Sequence, residues 1–89
     1  MDVKFVLDNE VRCVEVLEST IEHLATLENF IRELFCFEKS QRFFLTYLDF
    51  DCDRVTIRSD AEIATCLKRF QARGRTLKFQ GHEVHEIWG

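Results

Sequence analysis

Five short segments of this chain are typical of strands, and two stretches with helical spacing lie among them. Residues 3–7, 54–58 and 76–80 alternate apolar and polar side chains, whereas residues 11–17 are rich in β-branched side chains and residues 43–48 in aromatic ones. Alternation with a period of two places successive side chains on opposite faces of a strand, so it predicts half-buried strands. The five segments are residues 3–7, 11–17, 43–48, 54–58 and 76–80. The predicted order is β-β-α-β-β-α-β without an internal repeat, and a single sheet with helices packed on one face accommodates it economically.

Two capping-box patterns predict where the helices begin, because a hydroxyl residue followed three positions later by Glu satisfies free backbone donors. Ser19 with Glu22 predicts the start of the first helix, and Thr26 is an alternative cap for it. Ser59 with Glu62 predicts the start of the second helix.

Length and composition bound the class of protein. At 89 residues with 46% hydrophobic side chains, the chain is one small folded domain and is too apolar for intrinsic disorder. The net charge of −4 argues against nucleic-acid binding. No apolar run is long enough for a bilayer and no signal peptide is evident, so we expect a cytoplasmic setting in which the four irregularly spaced cysteines are thiols.

The densest group of charges is acidic and follows the third predicted strand. Residues 47–62 contain five acids and two bases. Asp49, Asp51 and Asp53 alternate within five positions, and such crowding costs repulsion unless a cation relieves it. A calcium loop is one interpretation, with Asp60 at its twelfth position. Arg54, however, occupies the sixth position, where a calcium loop of this kind has glycine, and the predicted flanks are strands instead of helices.

Basic residues form two smaller groups. Lys4 lies on the face of the first strand opposite the core, and Arg12 lies on the adjacent strand, where we expect it near Lys4 across the hairpin. Residues 63–80 contain five bases and no acid. Compensation of the helix dipole explains at least the first half of this cluster, and an acidic partner or a phosphate is an alternative explanation for the cluster.

No motif typical of an enzyme is present: the chain has no GxSxG, P-loop, HExxH or GxGxxG pattern. His82 and His85 are three residues apart but follow a strand and a glycine, and no third ligand has a suitable spacing. We therefore expect no catalytic residue, no cofactor and no bound metal.

The segment from Tyr47 to Ile63 closely resembles the acidic OPCA motif of the Phox and Bem1p (PB1) domain family. The resemblance covers the order of elements from Val3 to about Gln80. Within it, the sequence Val3-Lys4-Phe5 resembles the family's first strand, which carries a signature lysine. Three features depart from the pattern. Phe50 replaces an expected acid, Cys52 replaces the usual glycine, and Arg12 is followed by Cys13 where stronger basic faces have two bases.

The resemblance implies an α+β, ubiquitin-like β-grasp fold with a mixed sheet and two helices on one face. It implies a protein-interaction module of the two-faced type, which pairs front to back with itself or with another PB1-type domain. Matched position by position, its acidic face is Asp49, Asp51, Asp53, Asp60 and Glu62. Its basic face is Lys4 with Arg12.

The resemblance also implies a scaffold role, since related domains occur in signalling, polarity and autophagy proteins. We expect a domain over residues 1–80 and a tail over residues 81–89, at the N-terminal end of a longer protein. Two alternatives to the pairing function stay open at this point. They are a small calcium-binding domain and a ubiquitin-like or Ras-association-like binder that uses its sheet surface.

Overall fold

The computed structural model describes residues 1–84, in which five strands form one sheet and three helices accompany it. The elements are β1 (Asp2–Leu7), β2 (Glu10–Glu15), α1 (Glu18–Ile21), α2 (Leu24–Leu34), β3 (Arg42–Leu48), β4 (Arg54–Ile57), α3 (Asp60–Ala72) and β5 (Leu77–Val84). No helix in this part of the chain has the length and apolar character needed to cross a bilayer.

The sheet has the strand order β2-β1-β5-β3-β4, which places the last strand of the chain in its centre. Strands β1 and β5 pair in parallel, with Phe5 opposite Phe79, and the other three pairings are antiparallel. This mixed sheet confirms the predicted α+β, ubiquitin-like β-grasp fold.

The helices cover one face of the sheet, because the apolar side chains of the strands alternate onto that face. Phe5 stacks on Phe79 within the sheet and contacts Phe30 of α2, with ring centroids 5.5 Å apart for the second pair. Tyr47 meets Phe70 of α3 edge-on at 6.0 Å. The opposite face, called the outer face below, therefore carries the alternate residues of each strand.

The first helical stretch differs from its prediction. Ser19 lies inside the short α1 and caps nothing with its side chain, and Thr26 lies inside α2. Helix α2 begins instead at Leu24, whose backbone N–H donates to the side chain of Asp60 over 2.7 Å. The predicted Ser19–Glu22 cap was wrong because the acceptor comes from a distant part of the chain.

Strand bounds also shift at two places. Strand β2 ends at Glu15 instead of Leu17. The next residue, Val16, forms two backbone hydrogen bonds with Met1, each over 2.8 Å. Strand β5 continues to Val84 because its later residues pair with β3, so residues 81–84 of the predicted tail are strand. The rest of that tail, residues 85–89, lies outside the described residues.

Candidate interaction surfaces

The connection between β3 and β4, residues 49–53, is a tight turn organised by its first aspartate, and we call it the acidic turn. One carboxylate oxygen of Asp49 accepts hydrogen bonds from the backbone N–H groups of Asp51 and Asp53, each over 2.9 Å. The backbone N–H of Asp49 donates to the carbonyl of Asp53 over 2.9 Å. Asp49 therefore builds the turn that its two neighbours occupy.

The carboxylates of the acidic turn converge on one small region. Oxygen atoms of Asp49, Asp51 and Asp53 lie within 4.8 Å of one another, with Asp49 half-buried and the other two exposed. Within residues 1–84, the side chains of Asp51 and Asp53 have no hydrogen-bond or ion-pair partner. Both carboxylates are therefore available to a cation from outside the domain.

Cys52 occupies the turn position where the resemblance leads one to expect glycine. Its φ of 63° is left-handed, a conformation that glycine adopts without the steric cost borne by residues with a Cβ. The backbone N–H of Cys52 donates to the carbonyl of Asp49 over 3.1 Å, which closes the turn. The cysteine thus adopts a conformation that is more favourable for glycine.

Phe50 packs the acidic turn against helix α3. Its ring lies 4.9 Å from that of Phe70 and 4.0 Å beneath the guanidinium of Arg73. Arg69 and Arg73 line a surface pocket together with the turn. An apolar residue at this position therefore anchors the turn by packing, and it brings arginines of the same chain beside the carboxylates.

Asp60 lies at the start of α3 and serves as an internal link. One carboxylate oxygen accepts from the N–H of Leu24, and the other lies 3.1 Å from Nδ1 of His23. The Leu24 hydrogen bond, and after it the contact with His23, lowers the pKa of Asp60. Asp60 is exposed, but its side chain already has partners within the domain.

Glu62 is also held by local hydrogen bonds. Its backbone N–H donates to Oγ of Ser59 over 3.3 Å, as the predicted capping box requires. Its side chain accepts from the backbone N–H of Arg58 and from Oγ of Ser59, each over 3.2 Å. Of the five predicted acidic residues, Asp51 and Asp53 are thus the two whose side chains have no internal partner in residues 1–84.

The two predicted basic residues lie on opposite faces of the sheet. Lys4 is opposite Cys13 in the β1–β2 ladder, whereas Arg12 is opposite Phe5, which points into the core. Directly opposite residues share a face, so Lys4 is on the outer face and Arg12 is not. Arg12 instead lies 3.3 Å from Glu10 of its own strand. Lys4 and Arg12 therefore do not share a surface, contrary to the expectation from the sequence.

A basic residue that the sequence did not assign to this surface lies next to Lys4. Lys78 of β5 is directly opposite Lys4 in the parallel ladder. The sequence placed Lys78 only in a general basic cluster. The signal that would have identified it is the parallel pairing of the first and last strands, which a β-grasp fold implies but which local periodicity does not show.

The outer face also carries a polar network beside these lysines. Arg54 donates from Nη1 to Oγ1 of Thr46 and to Oε1 of Gln80, each over 3.0 Å. Oγ1 of Thr46 lies 2.8 Å from Nε2 of His82, whose ring stacks on Phe44. Burial, and after it the nearby Arg54 charge, lowers the pKa of His82.

The calcium interpretation needs Asp60 together with the acidic turn. Asp60 is bonded instead to His23 and Leu24, and strands β3 and β4 flank the turn. The geometry therefore gives this interpretation no fourth ligand from Asp60.

The fold is similar to that of solved PB1-domain structures, which confirms the predicted PB1-type fold. A structure of the AtNBR1-PB1 domain has a TM-score of 0.70 and 22% sequence identity, over 94% of this chain and 97% of that chain. A cryo-EM structure of the AtNBR1-PB1 filament (L-type) has a TM-score of 0.73 and 24% identity, with the same coverage. Scans against protein-family models and against curated proteins gave no match.

Proposed function

We propose that this chain is a PB1-type protein-interaction module that assembles front to back through an acidic and a basic surface. The fold likeness to a PB1 domain and to a PB1 filament supports the module class. The observation that carries the pairing mechanism is the pair of carboxylates without an internal partner, Asp51 and Asp53, on one surface, with Lys4 on another. The proposed role is non-enzymatic and cytoplasmic.

The sheet order supports front-to-back pairing over pairing within one chain. Lys4 lies on β1, while the acidic turn follows β3, and β5 separates those two strands. No described residue closes an ion pair between the two surfaces. Two different complementary surfaces on one chain make a heterologous contact, which either closes into a ring or extends as a filament.

The proposed acidic face consists of the residues that the resemblance implied: Asp49, Asp51, Asp53, Asp60 and Glu62. Within it, Asp51 and Asp53 are assigned the direct contacts with the partner. Asp49 shapes the turn, and Asp60 and Glu62 add negative potential from the start of α3. The proposed partner is a second copy of this chain or another PB1-type domain.

The energetics of such a contact depend on several carboxylates receiving one ammonium group. A single exposed ion pair contributes only about 0–1 kcal/mol. A network of charges that is partly shielded from water contributes more, and it also accelerates association. Because the Debye length is about 8 Å at physiological ionic strength, we expect assembly to weaken as salt increases.

Light scattering over a range of concentrations tests this function. We expect the wild-type mass to grow with concentration at low salt, and we expect Lys4→Ala and the double variant Asp51→Ala/Asp53→Ala to stay monomeric. Lys39→Ala and Glu33→Ala/Glu38→Ala change equal numbers of exposed charges elsewhere and serve as matched controls. A concentration-independent mass shared by wild type and all variants contradicts self-assembly.

A further inference from the structure

Two lysines face each other on neighbouring strands at the centre of the sheet. Lys4 of β1 pairs directly with Lys78 of β5 in the parallel ladder. Their neighbours along the chain, Val3 and Phe5 in β1, are at most 1% exposed and point to the helices. Both lysines therefore lie on the outer face, with Cα atoms about 5 Å apart.

Nothing in residues 1–84 neutralises this pair. Neither lysine side chain has a hydrogen bond or an ion pair in the described part of the chain. Arg54, on the same face, is by contrast held by Thr46 and Gln80. Like charges directly opposite in a ladder destabilise a sheet, so this arrangement carries a repulsion that an external anion would relieve.

The acidic turn of a second copy has the complementary form. Its carboxylate oxygens lie within 4.8 Å of one another, which is close to the spacing of two adjacent strands. Asp51 and Asp53 also lack internal partners in residues 1–84, so two carboxylates are available for two ammonium groups. The number of charges without an internal partner in residues 1–84 is therefore the same on the two surfaces of one chain.

We propose that Lys78 is the second basic residue of the pairing surface, and that Lys4 and Lys78 together bind the acidic turn of a second copy of this chain. Arg12 takes no part in that contact, because it lies on the other face of the sheet beside Glu10. The inference rests on the proposed front-to-back function and specifies its basic surface.

The test compares Lys78→Ala with Arg12→Ala in sedimentation velocity over a concentration series. Both variants remove one exposed basic residue from a strand. We expect Lys78→Ala to weaken self-association about tenfold or more, and Arg12→Ala to change it by less than about threefold. The dependence of the association constant on salt is expected to become shallower in Lys78→Ala alone, since one fewer charge is paired.

Thermal unfolding separates binding from folding in this comparison. We expect Lys78→Ala to melt at or slightly above the wild-type temperature, because it removes the repulsion with Lys4. Loss of assembly with a clearly lowered melting temperature would overturn the proposal by indicating a structural role. Assembly of Lys78→Ala that is stronger than assembly of the wild type would also overturn it. Such a result would indicate that Lys78 shields the acidic turn of its own chain instead of binding a second copy.

Failure of this inference is distinguishable from failure of the proposed function. If Lys4→Ala abolishes assembly while Lys78→Ala behaves as wild type, front-to-back pairing holds and the role of Lys78 is wrong. If Arg12→Ala weakens assembly more than Lys78→Ala does, the assignment of the basic surface is wrong. If wild type and Lys4→Ala are equally monomeric, the self-pairing function fails and the inference fails with it.

Discussion

At the residue scale, neighbouring aspartates of the acidic turn have different tasks. Asp49 accepts two backbone hydrogen bonds and sets the turn, whereas Asp51 and Asp53 point their carboxylates outward without an internal partner in residues 1–84. The alternation of acids is visible in the sequence. The different roles of the three aspartates are not visible in the sequence, because they depend on which carboxylate accepts hydrogen bonds from the backbone.

This difference in roles predicts opposite effects of two similar substitutions on stability. Asp49→Ala removes an acceptor for two N–H groups and is expected to lower the free energy of unfolding by about 1 kcal/mol. Asp51→Ala relieves repulsion and is expected to leave it unchanged or slightly higher. Urea denaturation measures both. Asp49→Asn keeps an acceptor oxygen and is the control. Equal destabilisation by Asp49→Ala and Asp51→Ala would contradict the assignment.

The four cysteines differ in burial, and this predicts their reactivity. Cys13, Cys36 and Cys52 are exposed, while Cys66 is buried in the core, which raises the pKa of its thiol to about 12. Because the thiolate is the reactive form, we expect three thiols to react with a disulfide reagent at pH 8 in the native protein, and four in denaturant. Rapid reaction of all four in the native protein would show that the core opens readily.

At the scale of elements, the two helix starts show what local sequence can and cannot predict. The Ser59–Glu62 box forms as predicted because donor and acceptor are three residues apart. The start of α2 depends on Asp60, 36 residues from Leu24. No local pattern can contain that contact, since donor and acceptor belong to different helices that are distant in the sequence. The Lys4–Lys78 pair is hidden for the same reason.

Asp60 is therefore predicted to matter for folding as well as for surface charge. Asp60→Ala should lower the melting temperature, since it removes the acceptor for the first N–H of α2, and Asp60→Asn should lower it less. The lowered pKa of Asp60 means that its contribution is complete above the ordinary carboxyl value of about 3.9. The contribution is lost as pH falls through the lower native pKa, so the difference between wild type and Asp60→Ala should shrink there.

Calorimetry over a range of pH measures this contribution, with Asp51→Ala as the control whose melting temperature stays near that of wild type. A melting temperature of Asp60→Ala equal to that of wild type at pH 7 would contradict the structural role. Asp60 would then be free to act chiefly in the proposed acidic face.

The outer face of the sheet contains a pH-sensitive element beside the lysines. Since Thr46 accepts a hydrogen bond from Arg54, its own hydroxyl hydrogen can be donated to a neutral His82. Burial and the Arg54 charge lower the pKa of His82, so the unfolded chain takes up its proton first as pH falls. This contribution to stability is complete above about pH 6.5 and is lost between that value and the lower native pKa.

Titration of the His82 ring by NMR tests this arrangement. Arg54→Ala should raise the pKa of His82, because it removes a nearby positive charge. Arg58→Ala removes an exposed arginine just beyond β4 and is expected to leave that pKa unchanged. An unchanged His82 pKa in Arg54→Ala would show that burial alone lowers it.

At the scale of the whole molecule, the net charge of −4 hides a segregation of sign. The acidic turn follows β3, and the Lys4–Lys78 pair lies on β1 and β5. Arg69 of α3, and Arg73 just after that helix, lie beside the acidic turn. The acidic surface and Lys4 were visible from the resemblance and the periodicity. The hydrogen bonds that hold Asp49, Asp60 and Glu62 within the domain, and the register that sets Lys78 beside Lys4, required the structure.

Front-to-back pairing is tested most directly by mixing two variants, each with one damaged surface. Lys4→Ala keeps the acidic turn, and Asp51→Ala/Asp53→Ala keeps the basic surface. We expect each variant to be monomeric alone, and we expect an equimolar mixture to form a 1:1 dimer and nothing larger, because one intact contact remains and neither end can continue. A mixture that stays monomeric, or variants that assemble alone like the wild type, would contradict it.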